Sequence, residues 1–86
     1  MIRWGDYIRM LKADGVTLET ADSELMNAEG NSFGAQFLIR WVDGVPLNTL
    51  VEVPDMQEPV SRRTLRQVAN ALRLPPEKYI FPEEMN

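Results

Sequence analysis

Arginines are the side chains of this 86-residue chain whose spacing best suits binding chemistry. The candidates for contacting nucleic-acid phosphates are Arg40, Arg62, Arg63, Arg66 and Arg73. Those from residue 62 onward stand at spacings that a helix brings to one side, from which guanidinium groups can grip successive phosphates. The same spacing also suits arginines that are solvated or paired with Asp55 and Glu58, just upstream.

Side chains suited to catalysis are scarce. The chain has no histidine and no cysteine, so a general base or a zinc site would have to be made from other groups. Glu29, Glu52 and the tyrosines form no evident acid–base pair, and Asp22, Glu24 and Glu29 hold a metal only if their segment folds tightly. We therefore expect no enzymatic activity, no metal site and no cofactor.

Charge is divided unevenly along the chain. The formal net charge is −4, which argues against strong binding to a phosphate backbone. Residues 14–58 hold nine acids and one base, whereas residues 60–78 hold five bases and one acid. The two parts could neutralise each other within one molecule or between copies in a homodimer, or the basic part could face an anionic partner. Asp22, Glu24 and Glu29 are the candidates for docking a basic protein partner.

The length fits one domain over residues 1–86, with a core from residue 3 to residue 81 and a frayed tail over residues 82–86. The amino terminus lacks the basic start and the apolar core of a signal peptide, and no apolar run approaches the length of a membrane span. We expect a soluble cytoplasmic protein that does not contact membranes.

The start of the chain predicts a helix. Its apolar stripe consists of Trp4, Tyr7, Ile8 and Leu11. Asp14-Gly15 closes it, because Gly15 can take the left-handed conformation that commonly ends helices. Residues 16–19 alternate as a short strand does, and residues 22–31 fit a loop, a helical turn or part of that strand.

Residues 33–41 and 47–53 are typical of two hairpin strands. In the first, the apolar odd positions Phe33, Ala35, Phe37, Ile39 and Trp41 predict the buried face. A two-residue turn at Asp43-Gly44 would place Ile39 beside polar Asn48, so the pattern favours a three-residue loop, with Gly44 at positive φ. The predicted partners are Trp41 with Leu47, Ile39 with Thr49, Phe37 with Val51 and Ala35 with Val53. Pro46 and Pro54 should end the pairing at either end of the second strand.

A second helix is predicted after residue 60. Ser61 is its N-cap, with Val60 and Leu65 as a hydrophobic staple. Its apolar stripe is Leu65, Val68, Ala69 and Leu72, and Pro75-Pro76 ends it. One further helical turn should lay Tyr79, Ile80 or Phe81 over the core.

These patterns predict an α+β fold made of a helix, a two- or three-stranded antiparallel sheet and a helix. Both helices should cover one face of the sheet. The sheet residues expected beneath them are Phe37, Ile39, Trp41, Val51 and Val53.

The order of these segments resembles the small HicA (YcfA-like) toxins of toxin–antitoxin systems. Residues 50–54, the acidic loop after them and residues 61–72 carry the resemblance, with a first helix that ends at Asp14-Gly15. It covers residues 4–81 as an order of segments and residues 50–80 in detail. The resemblance implies the helix–sheet–helix arrangement of double-stranded RNA-binding domains, RNA as the ligand and a HicB-like antitoxin as the protein partner.

The catalytic histidine of that family has no counterpart here. The family's Gly-Ser-His is matched most nearly by Asn31-Ser32-Phe33, so Phe33 stands where the histidine would be, and its place in the apolar stripe also suits a core residue. A phenyl ring cannot exchange a proton. The resemblance therefore implies an inactive member that binds RNA weakly or pairs with a HicB-like antitoxin. Any retained activity would be that of a ribonuclease acting on messenger RNA.

Two alternatives follow from the same residues. The first is an acidic protein–protein interaction module with no nucleic-acid role. The second is a small helix-turn-helix DNA-binding protein, because residues 64–77 resemble the last conserved helix of Cro/repressor-type domains. Domains of that type are all helical, whereas residues 33–53 alternate as strands do.

Overall fold

A computed structural model describes residues 1–20 and 34–80. The elements follow one another as α1 (Trp4–Ala13), β1 (Thr17–Thr20), β2 (Gly34–Val42), β3 (Val45–Val53), α2 (Arg62–Ala71) and α3 (Pro76–Tyr79). The strands form a three-stranded antiparallel sheet in the order β1-β2-β3. The predicted α+β class and the helix–sheet–helix layout are confirmed.

The apolar stripes predicted for the two long helices are their buried faces. In α1 the buried residues are Trp4, Tyr7, Ile8 and Leu11, and in α2 they are Leu65, Val68 and Ala69. Tyr79 of α3 joins the same core, where its ring meets that of Tyr7 edge to face with centroids 6.3 Å apart. Such aromatic pairs add about 0.5–1.5 kcal/mol beyond the area that they bury.

The helices α1 and α2 end in the same backbone motif. Beyond each helix an amide donates back to a carbonyl of the last turn, Val16 to Leu11 and Leu74 to Ala69, both at 2.9 Å. The residue before each of these amides is left-handed, as the Schellman motif requires, with Gly15 at φ 86° and Arg73 at φ 53°. Gly15 confirms the predicted stop, whereas Arg73 adopts a conformation that costs an L residue about 1–2 kcal/mol.

The β2–β3 hairpin differs from the prediction in its loop length and register. Val42 pairs with Val45, so the loop has two residues, and Phe37 lies opposite Leu50 rather than Val51. Asp43 and Gly44 have φ of 50° and 78°, which fits the type I′ turn whose twist matches that of the flanking strands. The positive φ of Gly44 is confirmed. The three-residue loop is wrong, because the turn's twist outweighs the mismatch between Ile39 and Asn48.

Prolines bound β3 at one end only. The strand ends at Val53, immediately before Pro54, as predicted. Pro46 does not end the pairing, because it lies within β3 opposite Trp41. The strand is at the edge of the sheet, where a residue without an amide donor is tolerated.

The face of β2 predicted to be buried is the face turned away from the helices. Leu38 and Gln36 are 0% and 1% exposed, whereas Trp41 is 64% exposed. Val51 and Val53 of β3 lie in the core, as predicted. A change of register by one residue turns a strand's side chains to the opposite face. The expectation that Phe37, Ile39 and Trp41 meet the helices is therefore wrong.

Candidate phosphate-binding surface

The loop between β3 and α2 fixes where α2 begins. Backbone amides join this loop to the start of the chain, with Trp4 donating to the Glu58 carbonyl at 2.9 Å, Gly5 to Met56 at 3.0 Å and Val60 to Ile2 at 2.9 Å. Ser61 is the N-cap, because its Oγ accepts a hydrogen bond from the Thr64 amide at 3.1 Å. The predicted cap is confirmed, and it places Arg62 at the first residue of the helix.

Three of the candidate arginines come together at this end of α2. We call Arg62, Arg63 and Arg66 the arginine surface, and all three are exposed. The first turn of the helix contains no acid. Within residues 1–20 and 34–80, neither Arg63 nor Arg66 forms an ion pair. The positive end of the helix dipole and the guanidinium groups thus act in the same place.

The acids just upstream do not neutralise Arg63 and Arg66 by direct contact. Asp55 instead accepts a hydrogen bond from the Gln57 amide at 2.7 Å, which shapes the loop. Glu58 is exposed and contributes its carbonyl to the contact with Trp4. The interpretation of paired arginines is therefore not supported at these two residues.

Arg40 and Arg73 lie at the opposite end of α2. Arg40 is on the inner face of the sheet, and its guanidinium donates to the carbonyls of Leu72 and Arg73, both at 2.8 Å. It therefore caps the end of α2, where the helix dipole is negative. A helix of ten residues is about 15 Å long, so these two arginines are well separated from the arginine surface.

A polar cluster near this end of α2 was not anticipated from the sequence. Asp14, at the end of α1, accepts hydrogen bonds from the Tyr79 hydroxyl and from Lys78 Nζ, the latter at 2.7 Å. The hydroxyl also lies 3.2 Å from the Met10 carbonyl. The residues are too far apart in the chain for any local pattern to join them.

The electrostatics of this cluster favour a structural role. Hydrogen bonds from Lys78 and Tyr79, with the charge of Arg40 nearby, hold the pKa of Asp14 below its ordinary value. Burial and the Asp14 carboxylate raise the pKa of Tyr79. The tyrosine therefore stays protonated and donates, so it is unsuited to act as a base. The cluster ties α3 to the end of α1.

No other site is evident in the part of the chain that the structure describes. There, no group of three or more acids, cysteines or histidines is placed to hold a metal ion, and no pocket is present. None of the helices described is long and apolar enough to cross a membrane. Asp22, Glu24, Glu29 and Phe33 lie outside the described residues, so their predicted roles stay predictions.

What the arginine surface binds is inferred from its own geometry and charge. In comparisons with protein-family models, with curated proteins and with solved structures, the chain matches none.

Proposed function

We propose that this protein binds the phosphate backbone of structured RNA through the arginine surface and does not cleave it. The observation that carries the proposal is the exposure of Arg62, Arg63 and Arg66 near the start of α2, whose first turn contains no acid. In this view the protein is a HicA-like member whose Phe33 replaces the family's histidine.

Arg62 and Arg63 stand in the first turn of α2, where the helix dipole disfavours a cation. Cations in the first turn oppose the helix dipole, at a cost of roughly 0.3–1 kcal/mol each. A phosphate at the same place is attracted both by the positive end of the helix dipole and by the guanidinium groups. The arginine surface is therefore better explained by an anionic ligand than by its effect on stability.

The arrangement of the helices adds support. The layout of one helix, an antiparallel sheet and a second helix is the one implied by the resemblance to HicA toxins and double-stranded RNA-binding domains. The sheet does not fit a Cro/repressor-type domain, which is all helical. The net charge of −4 makes the proposed binding weak, and its reliance on arginine–phosphate contacts makes it dependent on salt.

Fluorescence anisotropy with a labelled RNA hairpin tests the proposal. We expect saturable binding at about 50 mM salt that weakens towards about 200 mM. The double variant Arg63→Gln with Arg66→Gln should weaken binding at least about tenfold and reduce the slope of log affinity against log salt by about 2.

The matched control is Arg9→Gln with Lys12→Gln, which removes the same charge from exposed positions of α1. It should have a much smaller effect on RNA binding. Circular dichroism checks that both double variants remain folded. Equal effects of the two double variants, or no binding at the lower salt, would contradict the proposal.

Pairing with a HicB-like antitoxin is the other part of the proposal that the resemblance supports. In the alternative of an acidic interaction module, Asp22, Glu24 and Glu29 are the residues proposed to contact a basic protein partner. Their reversal to lysine should then weaken binding of that partner and leave the arginine surface intact.

A further inference from the structure

The face of the sheet turned away from the helices is apolar. We call it the outer face, and its apolar side chains are Phe37, Ile39 and Trp41 of β2 with Pro46 and Leu50 of β3. Trp41 is 64% exposed and Leu50 48% exposed. Phe37 pairs with Leu50 and Trp41 with Pro46, and Ile39 lies between the two pairs on β2, opposite polar Asn48.

The polarity of β2 is the reverse of what an uncovered face requires. An antiparallel sheet with one face in water normally turns polar side chains outward and apolar ones towards the core. In β2 the inner face carries Gln36 and Arg40 on either side of Leu38, while the outer face carries Phe37, Ile39 and Trp41. Contiguous exposed apolar patches with polar borders commonly mark docking sites.

Acids border the patch. Glu19 of β1 lies opposite Phe37, and Glu52 of β3 lies opposite Ala35, so both carboxylates belong to the outer face. No lysine or arginine occupies the outer positions of the three strands. A ligand that covers the patch must therefore combine apolar groups with positive charge.

Two segments of this chain and two surfaces of a second copy lack that combination. Residues 21–33 carry three acids and no base, and residues 81–86 carry two acids and no base. The outer face of a second copy would again bring Glu19 and Glu52. The arginine surface of a second copy is basic, but the residues beside it on α2, Gln67 and Asn70, are polar and cannot cover Trp41.

We propose that the outer face docks a basic amphipathic segment of another protein. Its apolar stripe would cover Phe37, Trp41 and Leu50, and its lysines or arginines would lie beside Glu19 and Glu52. This inference goes beyond the proposed RNA binding, because the outer face and α2 lie on opposite sides of the sheet. One molecule can therefore hold both ligands at once.

Titration of the ¹⁵N-labelled full chain with synthetic peptides tests the proposal by NMR. The probe is an amphipathic helical peptide of about 14 residues made of leucine and lysine, and its comparison peptide has glutamate in place of lysine. We expect the basic peptide to shift the Trp41 indole and the outer-face amides. The acidic peptide should bind at least about tenfold more weakly.

Three variants sharpen the test. Trp41→Ser should weaken binding of the basic peptide at least about tenfold. Glu19→Lys with Glu52→Lys should weaken the basic peptide and strengthen the acidic one. Val45→Ser is the matched control, because Val45 is an apolar residue of β3 with 55% exposure that lies outside the patch, and it should leave binding unchanged.

Several results would overturn the proposal. The proposal fails if the basic peptide does not bind, if both peptides bind equally, or if the basic peptide shifts only the resonances of α2. It also fails if an RNA oligonucleotide shifts the outer-face resonances. Self-association that protects Trp41 would assign the face to a second copy. Acrylamide quenching of tryptophan fluorescence reports on Trp41, because the other tryptophan, Trp4, is buried. Protection of Trp41 from quenching in the free monomer would show that the chain covers this face itself.

Discussion

Asp14 joins the end of α1 to α3 through two side-chain hydrogen bonds. Its carboxylate sits at the negative end of the α1 dipole, where an acid is unfavourable. Lys78 Nζ at 2.7 Å and the Tyr79 hydroxyl offset that cost. Because these groups stabilise the charged form, the pKa of Asp14 is lowered.

The lowered pKa of Asp14 gives stability a specific dependence on pH. In the unfolded chain the carboxyl binds its proton more tightly than in the folded protein. Its contribution is therefore present above the ordinary pKa of 3.8 and is lost as pH falls through the lower folded value. We expect Asp14→Asn to destabilise the protein near neutral pH and to differ less from wild type at about pH 3.

Urea denaturation at several pH values measures this difference. Asp6→Asn is the control, because the Asp6 carboxylate is exposed and, among the described residues, pairs only with Arg9, at 3.1 Å. A difference between Asp14→Asn and wild type that stays constant from neutral pH to acid would contradict the assignment.

At the scale of the elements, the two long helices end in one motif built on different residues. Gly15 takes the left-handed position after α1, and Arg73 takes it after α2. Arg40 stabilises the second ending through the backbone carbonyls of Leu72 and Arg73, which do not depend on the Arg73 side chain. The strain at Arg73 is therefore separable from the contact that Arg40 makes.

Replacing Arg73 by glycine should stabilise the protein by about 1 kcal/mol, because glycine adopts the left-handed conformation without a clash of its Cβ. The free energy of unfolding from urea denaturation measures the effect. Arg66→Gly, within α2, is the control and should destabilise by about 1 kcal/mol. If both variants lose stability equally, the strain assigned to Arg73 is not present.

At the scale of the whole molecule, the sheet separates two surfaces of different character. The arginine surface is basic and lies on the side of the helices, whereas the outer face is apolar with an acidic border. Leu38 and Trp41 lie in the same strand on opposite faces of it, one in the core and one exposed. Their contributions to stability should differ accordingly.

We expect Leu38→Ala to cost about 3 kcal/mol, because it removes buried methyl groups and leaves a cavity. Trp41→Ala should cost less than about 1 kcal/mol, since the side chain is largely in water. Guanidinium denaturation of the two variants measures the difference. A large loss with Trp41→Ala would mean that the outer face is covered in the free protein.

The sequence correctly predicted local structure that depends on residues close together in the chain. The stripes of α1 and α2, the cap at Ser61, the stop at Gly15 and the positive φ of Gly44 were all predicted correctly. Each is decided by interactions within a few residues, so the order of side chains contains the information. The position of Arg62, Arg63 and Arg66 near the start of α2 also followed from the sequence, because they lie within five consecutive residues of one helix.

Features that join distant segments were decided by the tertiary structure. Periodicity shows that Phe37, Ile39 and Trp41 share a face, but the turn and the packing of α1 and α2 decide that this face points outward. Arg40 reaches Leu72 and Tyr79 reaches Asp14 only once the sheet and helices have packed. Alternation within one strand has two equivalent solutions, and contacts far apart in the chain select between them.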